Sequence, residues 1–446
     1  METNEPFDIL ITGGTAVTLS GRMDVIENPI IGIRDGRISL LEEGSKSAGR
    51  PAARETLDAA GCVILPGFIN THTHLPMVCF RGYADDLPLL EWLHGRIFPA
   101  EAKHVNRAMV YDASRLAMAE MILSGTTTFC DGYFYESAIV QAALDMGMRS
   151  VVAQGFIDFP SPDQPDPSRN RKIAEAFLDK WKDRSPLISP ALFCHTPFTC
   201  RPETLEDLKR TARDRDVLYL IHVAETRDET RIIQERYGTT PVRHLRNLGV
   251  LDERTVAVHA VWVDDEEIDM LRDAGVKVSH NPESNMKLAS GVAPVPAMLR
   301  RGIAVGLGTD GCASNNDLDL FREMGTAAKL HKVAAMDPSV LNARTALKMA
   351  TIDGARVLGM EDRIGSIEPG KCADLICVRM DSPHLTPVYQ VYSHLVYAAS
   401  GADVTASIIG GRLVMKDRRL LHADLTGIME RVRRIAAVIA TDRGAS

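Results

Sequence analysis

Between residues 64 and 308 the sequence alternates eight short apolar runs with stretches of helical spacing, and nothing else in it limits the fold so strongly. The runs are 64–71, 126–130, 150–156, 188–194, 218–223, 256–261, 276–279 and 303–308. Segments such as 105–123, 171–182 and 265–273 carry apolar residues at helical intervals between them. Near-continuous apolar strands joined by amphipathic helices describe a parallel sheet covered on both faces. Eight such units predict an α/β fold, a (β/α)8 TIM-type barrel with its chemistry at the C-terminal ends of the strands. An open doubly wound sheet is the alternative, and it calls for a Gly-rich phosphate loop after the first strand. Pro66-Gly67-Phe68-Ile69-Asn70-Thr71-His72-Thr73-His74 holds no such loop.

The two ends have another texture. From Phe7 to Leu65 the pattern is of short strands, with Asp35-Gly36 between apolar runs as a hairpin signal. Residues 374–378 and 407–414 repeat it around Gly410-Gly411. Each end is too small to bury a core alone. They are expected to pair into one small β-sandwich from 1–66 and 368–446, with a C-terminal helix over 425–439, leaving 67–367 for the barrel.

Composition excludes several classes. The chain carries 51 basic against 59 acidic residues, a net charge of −8, so no basic stripe exists to neutralise nucleic-acid phosphates. No apolar stretch approaches the ~18 residues of a membrane span. Met1-Glu2-Thr3-Asn4-Glu5 is acidic and polar, unlike a secretory leader. Eight cysteines without a CxxC pair fit a reducing compartment, with cytoplasm the expected location.

Polar, metal-capable residues stand where the apolar runs stop. His72 and His74 leave one strand on the same face and can converge on one metal about 2 Å from each imidazole. Cys194-His195 ends the fourth run, His222-Val223-Ala224-Glu225 the fifth, His259 the sixth, His280-Asn281-Pro282 the seventh and Thr309-Asp310-Gly311 the eighth. A lone histidine at a strand end is ordinarily a satisfied polar residue. Barrel geometry brings this whole set to one rim.

With these residues in view, the sequence resembles the amidohydrolase superfamily over essentially its whole length. The carrying segments are His72-Thr73-His74-Leu75-Pro76-Met77, Arg81-Gly82-Tyr83-Ala84-Asp85-Asp86-Leu87-Pro88-Leu89 and Ile97-Phe98-Pro99-Ala100-Glu101. Ser284-Asn285-Met286-Lys287-Leu288-Ala289-Ser290-Gly291 and Gly308-Thr309-Asp310-Gly311-Cys312-Ala313-Ser314-Asn315-Asn316 follow later. The resemblance is closest to the branch of 5-methylthioadenosine/S-adenosylhomocysteine deaminases, which also holds s-triazine hydrolases.

The resemblance implies that His72, His74, His222 and Asp310 bind one divalent metal, zinc by preference, with iron or manganese open at the same ligands. Binuclear relatives use a lysine at the end of the fourth strand; Phe193-Cys194-His195-Thr196-Pro197 has none, which favours a single ion. It further implies that Glu225 protonates a ring nitrogen, that His259 positions and deprotonates water, and that Asp310 passes a proton to departing ammonia. With Arg227, Asp228 and Glu229 beside it, the ordinary alternative for Glu225 is a solvated surface carboxylate.

For the substrate, the resemblance implies that Glu101 accepts ribose hydroxyls and that His195 contacts a nucleoside; Trp92 could pack on the 5′ substituent. The expected activity is deamination of an adenosine-type nucleoside (5′-methylthioadenosine, S-adenosylhomocysteine or adenosine) to its inosine analogue. Relatives that take S-adenosylhomocysteine hold its carboxylate with arginines, whose fork a neutral amide replaces poorly. Gln154 stands where such an arginine is sought, and Arg169 and Arg171 are the nearby candidates, with solvent exposure their ordinary reading. Methylthioadenosine or adenosine is therefore expected to be preferred. The alternatives are an aminohydrolase or chlorohydrolase of another heterocycle, such as an s-triazine or guanine, and an inactive barrel used as a scaffold. The only partner expected besides the small-molecule substrate is a further copy of the chain, since barrels of this family often form homo-oligomers.

Overall fold

Eight parallel strands form one sheet in a computed structural model that describes residues 5–21, 25–44 and 51–443. They are β1 (Phe68–Thr73), β2 (Thr126–Tyr133), β3 (Arg149–Phe156), β4 (Ile188–Cys194), β5 (Tyr219–Val223), β6 (Thr255–His259), β7 (Lys277–His280) and β8 (Val305–Leu307), in that spatial order. Almost every residue in them is buried, which is why most read as largely apolar runs rather than alternating ones. Ile69, Val151, Ala191, Leu220 and Val256 pack inside, against Ala355, Val357, Met360 and Ile364. The ring closes where Thr309 and Asp310 donate their backbone N–H groups to the His72 carbonyl at 3.1 and 3.0 Å. The seam of the barrel thus lies at two of the residues singled out in the sequence.

The run 64–71 is two strands, not one. Cys62–Pro66 pairs antiparallel with Leu375–Arg379 in the sandwich, and only Phe68–Thr73 enters the barrel. Both strands are buried and apolar, so composition could not divide them. Gly67 marks the switch, because a side-chain carbon there would collide with Thr127.

The sandwich has a four-stranded sheet from Phe7–Thr12, Pro29–Arg34, Arg37–Glu43 and Ala53–Asp58. A seven-stranded sheet faces it, in which Leu375–Arg379 joins the C-terminal strands to Cys62–Pro66. Ile9, Ile31, Ile33, Ile64, Leu375 and Ile408 fill the space between them. Arg149 at the start of β3 ties this unit to the barrel through Asp374.

Five helices matter for the site and its frame: α1 (Phe98–His104), α2 (Arg107–Leu123), α3 (Arg227–Tyr237), α4 (Pro282–Lys287) and α5 (Leu425–Arg443). Asn106 caps α2, its side chain accepting the N–H groups of Ala108 and Met109. Helix α5 lies along α2, with Arg431 Nε donating to Asp112 Oδ1 at 2.9 Å. Among the described residues no helix is long and apolar enough to cross a membrane.

Candidate active site

At the C-terminal rim of the barrel five side chains from four strand ends surround one point. His72 Nε2 lies 3.1 Å from His222 Nε2 and 3.4 Å from Asp310 Oδ1, and His74 Nε2 lies 3.3 Å from that same oxygen. Tetrahedral ligands about 2.05 Å from a zinc ion stand about 3.3 Å apart. His72, His222, His259 and Asp310 also each offer an atom within 4.8 Å of the others. His259 sits farther off, however, with Nε2 4.0 Å from Asp310 Oδ2 and 3.8 Å from Glu225 Oε2. His74 stands outside that group of four, but its 3.3 Å contact with Asp310 is shorter than either His259 contact, which makes it a candidate for a fourth ligand and leaves His259 between the two carboxyl groups.

The backbone is strained to achieve this. Ala224, His259, Ala260 and Asp310 have φ of +52°, +73°, +46° and +60°, in the left-handed region. Each such non-glycine residue costs about 1–3 kcal/mol and persists only where the surroundings enforce it. Here every one of the four is at or just past a strand end carrying a polar group of the site.

Electrostatics fit a cation. Burial pulls the His72 imidazole down to about 4, and burial with neighbouring imidazoles pulls His222 well below its ordinary value. Burial alone would raise the Asp310 carboxyl, but its contacts with His72 and His74 outweigh it and hold the group well below its usual range. His74 Nδ1 is 2.6 Å from the Gly132 carbonyl oxygen, a contact only an N–H can satisfy, so a neutral His74 turns its lone pair toward Asp310. Burial lowers the His74 pKa, yet Asp310 raises it more, so positive charge is favoured between these groups. A divalent metal supplies that charge to three imidazole nitrogens and one carboxylate, a donor set suited to zinc.

Glu225 and Glu101 face the same cleft from different walls. Burial raises the Glu225 carboxyl above its ordinary value, opposed by His259. Its Oε1 accepts the Ser290 hydroxyl at 3.4 Å. Glu101, on α1, is pushed up to about 7 by burial, opposed by a hydrogen bond from Tyr133. The cleft is lined by Trp92, Leu93, Phe98, Phe156 and Phe198 among others, with His195 and Thr196 at one side. Among the described residues lining it there is no lysine or arginine. Trp92 offers only its apolar face, since its indole N–H donates to Ala84 O at 3.0 Å. His195 Nδ1 is 2.9 Å from Thr199 Oγ1, and burial pulls its pKa down to about 3.

The guanidinium candidates stand apart from the cleft. Arg169 is exposed, and Arg171 pairs with Glu175 and Asp207 at 3.0 and 3.2 Å. Gln154 spends its amide on Asp163 and the Gly155 carbonyl. All nine residues expected from the sequence border the cleft or its metal-capable floor: His72, His74, Trp92, Glu101, His195, His222, Glu225, His259 and Asp310.

Sequence reasoning missed the residues that hold them. Ser284 and Ser314 donate to Asp310 Oδ2 at 2.7 and 3.1 Å, leaving Oδ1 toward the imidazoles. Asn285 Oδ1 lies 2.8 Å from His259 Nδ1, fixing that ring. Three of these lie in the segments 284–291 and 308–316 quoted for the family resemblance, which was the available signal. Tyr133 had none, being one aromatic in an apolar strand. Glu225 and its neighbour Glu229 are both buried, so neither is a solvated surface carboxylate.

A (β/α)8 barrel with such a cluster at the C-terminal ends of its strands has the layout of a metal-dependent barrel enzyme. Residues 63–414 match the Amidohydrolase family, and the chain belongs to that family. It is 49% identical over 432 residues to a 5-methylthioadenosine/S-adenosylhomocysteine deaminase of Syntrophobacter fumaroxidans, covering 97% of this chain and 98% of the relative. It is 43% identical over 430 residues to a 5′-deoxyadenosine deaminase of Methanosarcina mazei, covering 96% and 98%. A crystal structure of an adenosine deaminase from Xanthomonas campestris with bound zinc has a TM-score of 0.96 at 38% identity, covering 98% and 99%.

Proposed function

We propose that the chain is a metal-dependent deaminase of adenosine-type nucleosides, releasing ammonia and the inosine analogue. The observation that carries this reading is the meeting of three imidazole nitrogens and the Asp310 carboxylate beside the raised carboxyl of Glu225, under an apolar cleft. Relatives named for such deaminations support it, as does the zinc in the adenosine deaminase of Xanthomonas campestris. His72, His74, His222 and Asp310 would hold one zinc ion. When bound, zinc supplies Lewis acidity that lowers the pKa of water to about 7.

The side chains then divide the protons. Water adds to the amidine carbon bearing the exocyclic amine while His259 takes its proton and Glu225 gives one to the ring nitrogen. His259 Nε2 lies between the Glu225 and Asp310 carboxyl groups, suited to hand its proton on to Asp310. Asp310 delivers that proton to the amine, the C–N bond breaks, ammonia leaves, and Glu225 recovers a proton from the new hydroxyl. Glu101 accepts the ribose hydroxyls, His195 contacts the nucleoside, and Trp92 packs on the 5′ substituent.

The cleft favours a small or apolar 5′ group. Without a lysine or arginine in its lining, and with Arg171 engaged elsewhere, the amino-acid carboxylate of S-adenosylhomocysteine lacks a bidentate partner. Ammonia release from the zinc-loaded protein tests both levels, using adenosine, methylthioadenosine, 5′-deoxyadenosine, S-adenosylhomocysteine, guanine and an s-triazine. Turnover of the adenosines alone is expected, with methylthioadenosine at least tenfold above S-adenosylhomocysteine in kcat/KM. Preference for guanine or the triazine overturns the nucleoside reading; preference for S-adenosylhomocysteine overturns the finer one. The same reading carries a cytoplasmic homo-oligomer, which light scattering and cell fractionation test.

A further inference from the structure

Helix α3 opens with Thr226-Arg227-Asp228-Glu229, the pattern in which the glutamate ordinarily folds back onto the N–H of the capping threonine. Half of that device is present: Thr226 Oγ1 accepts the Glu229 N–H at 3.3 Å. The Glu229 carboxylate instead reaches past Thr226 toward the strand. Its Oε1 accepts the N–H of Ala224 and its Oε2 the N–H of Glu225, both at 2.9 Å.

The two N–H groups can face one carboxylate because Ala224 is left-handed, at φ +52°. Successive N–H groups in such a turn form a concavity for an anion. From the other side, the Ala224 carbonyl accepts the N–H groups of Val261 and Trp262 at 3.0 and 2.8 Å. The peptide joining Ala224 to Glu225 is therefore held at its oxygen and at its N–H. Glu225 departs directly from that peptide, and its own carboxyl has looser contacts, with Ser290 at 3.4 Å and His259 at 3.8 Å. A helix cap alone calls for neither burial nor service to residues that precede the capping position, yet Glu229 is 2% exposed and bonds two of them.

We infer that Glu229 is a positioning residue, which aims the Glu225 carboxyl at the substrate through the Ala224 and Glu225 N–H groups. This rests on the reading of Glu225 as the proton donor. Glutamine at 229 offers one acceptor but turns an amide N–H toward the second backbone N–H, and aspartate falls one methylene short of the pair.

The test uses full-length, zinc-loaded Glu229→Gln and Glu229→Asp, with ammonia release from methylthioadenosine normalised to bound zinc. Both variants are expected to lose tenfold or more in kcat per bound zinc, with KM within threefold of wild type and one zinc per chain retained. A merely structural role lowers the thermal midpoint or the zinc-loaded fraction and leaves kcat per bound zinc within threefold; that result in either variant overturns the inference. Failure of both variants to fold with zinc makes Glu229 a folding element and also overturns it. Glu225→Gln, measured alongside, separates the two levels. Its retained turnover removes the donor on which the inference rests, whereas its loss beside full turnover at Glu229 removes the positioning role alone.

Discussion

Tyr133 donates its phenolic hydrogen to Glu101 Oε1 at 2.6 Å, joining the end of β2 to helix α1. Burial pushes Glu101 from an ordinary 4.5 to about 7, so its carboxylate, the better acceptor for ribose hydroxyls, forms only as pH rises through about 7. The KM for methylthioadenosine is expected to fall between pH 6 and pH 8 and to lose that slope in Glu101→Gln. At pH 8 the variant's KM is expected to be about tenfold higher, in line with a lost bond to a charged group. Stability moves oppositely. A carboxyl whose folded pKa is raised is fully tolerated below about 4.5 and disfavours the fold above about 7, by on the order of 3 kcal/mol. Glu101→Gln should therefore raise the thermal midpoint at pH 8 and leave it unchanged at pH 4.

Glu225→Gln keeps the shape of the side chain and removes its transferable proton. Turnover is expected to drop by about 10²–10⁴, the ordinary contribution of a positioned acid or base. Elemental analysis should still find one zinc per chain, because Glu225 lies outside the closest set of nitrogens and oxygen. Near-normal turnover with full zinc removes its assigned role.

His74 and His259 compete for the fourth ligand place, and the distances separate them. His74→Ala is expected to lose zinc during dialysis, while His259→Ala keeps it and loses turnover. Chelation of wild type should abolish ammonia release and lower the thermal midpoint, since zinc at 100 times its Kd stabilises the fold by about 2.7 kcal/mol. Equal zinc retention by both variants contradicts the assignment.

The barrel and its metal-capable rim were legible because two strong signals coincide in them. Parallel strands buried on both faces are largely apolar, so His222, His259 and Asp310 stand out where those runs stop. The division at Gly67 was not legible, since Ile64 and Ile69 are equally apolar and differ only in which sheet their strand joins. Glu229 was obscured for another reason: Thr226-x-x-Glu229 is the ordinary spelling of a helix start, and only the left-handed Ala224 redirects its carboxylate. Ser284 reaches Asp310 from another strand end and Ser314 from the turn just after it, and no helix or strand periodicity announces either hydroxyl.

The joint between barrel and sandwich supplies a stability test independent of the chemistry. Arg149 Nε and Nη2 donate to Asp374 Oδ2 and Oδ1 at 2.5 and 3.1 Å, and both side chains are almost wholly buried. Asp374 Oδ1 also accepts the Gly410 N–H at 2.6 Å, so the carboxylate fastens the β3 end to a sandwich turn. Two buried charges gain little over well-packed apolar groups, but removing one partner strands the other without compensation, at about 3–5 kcal/mol. Arg149→Ala and Asp374→Ala are each expected to lower the thermal midpoint by several degrees. The paired change Arg149→Met with Asp374→Leu should cost less than the two single losses together, because no charge is left buried alone. Neither partner touches the cleft, so zinc content and kcat of the folded fraction should remain at wild-type values. If the double variant instead loses the sum of the single effects, the pair acts through separate contacts, such as the Arg149 bond to Pro186 O, rather than as a charge clamp.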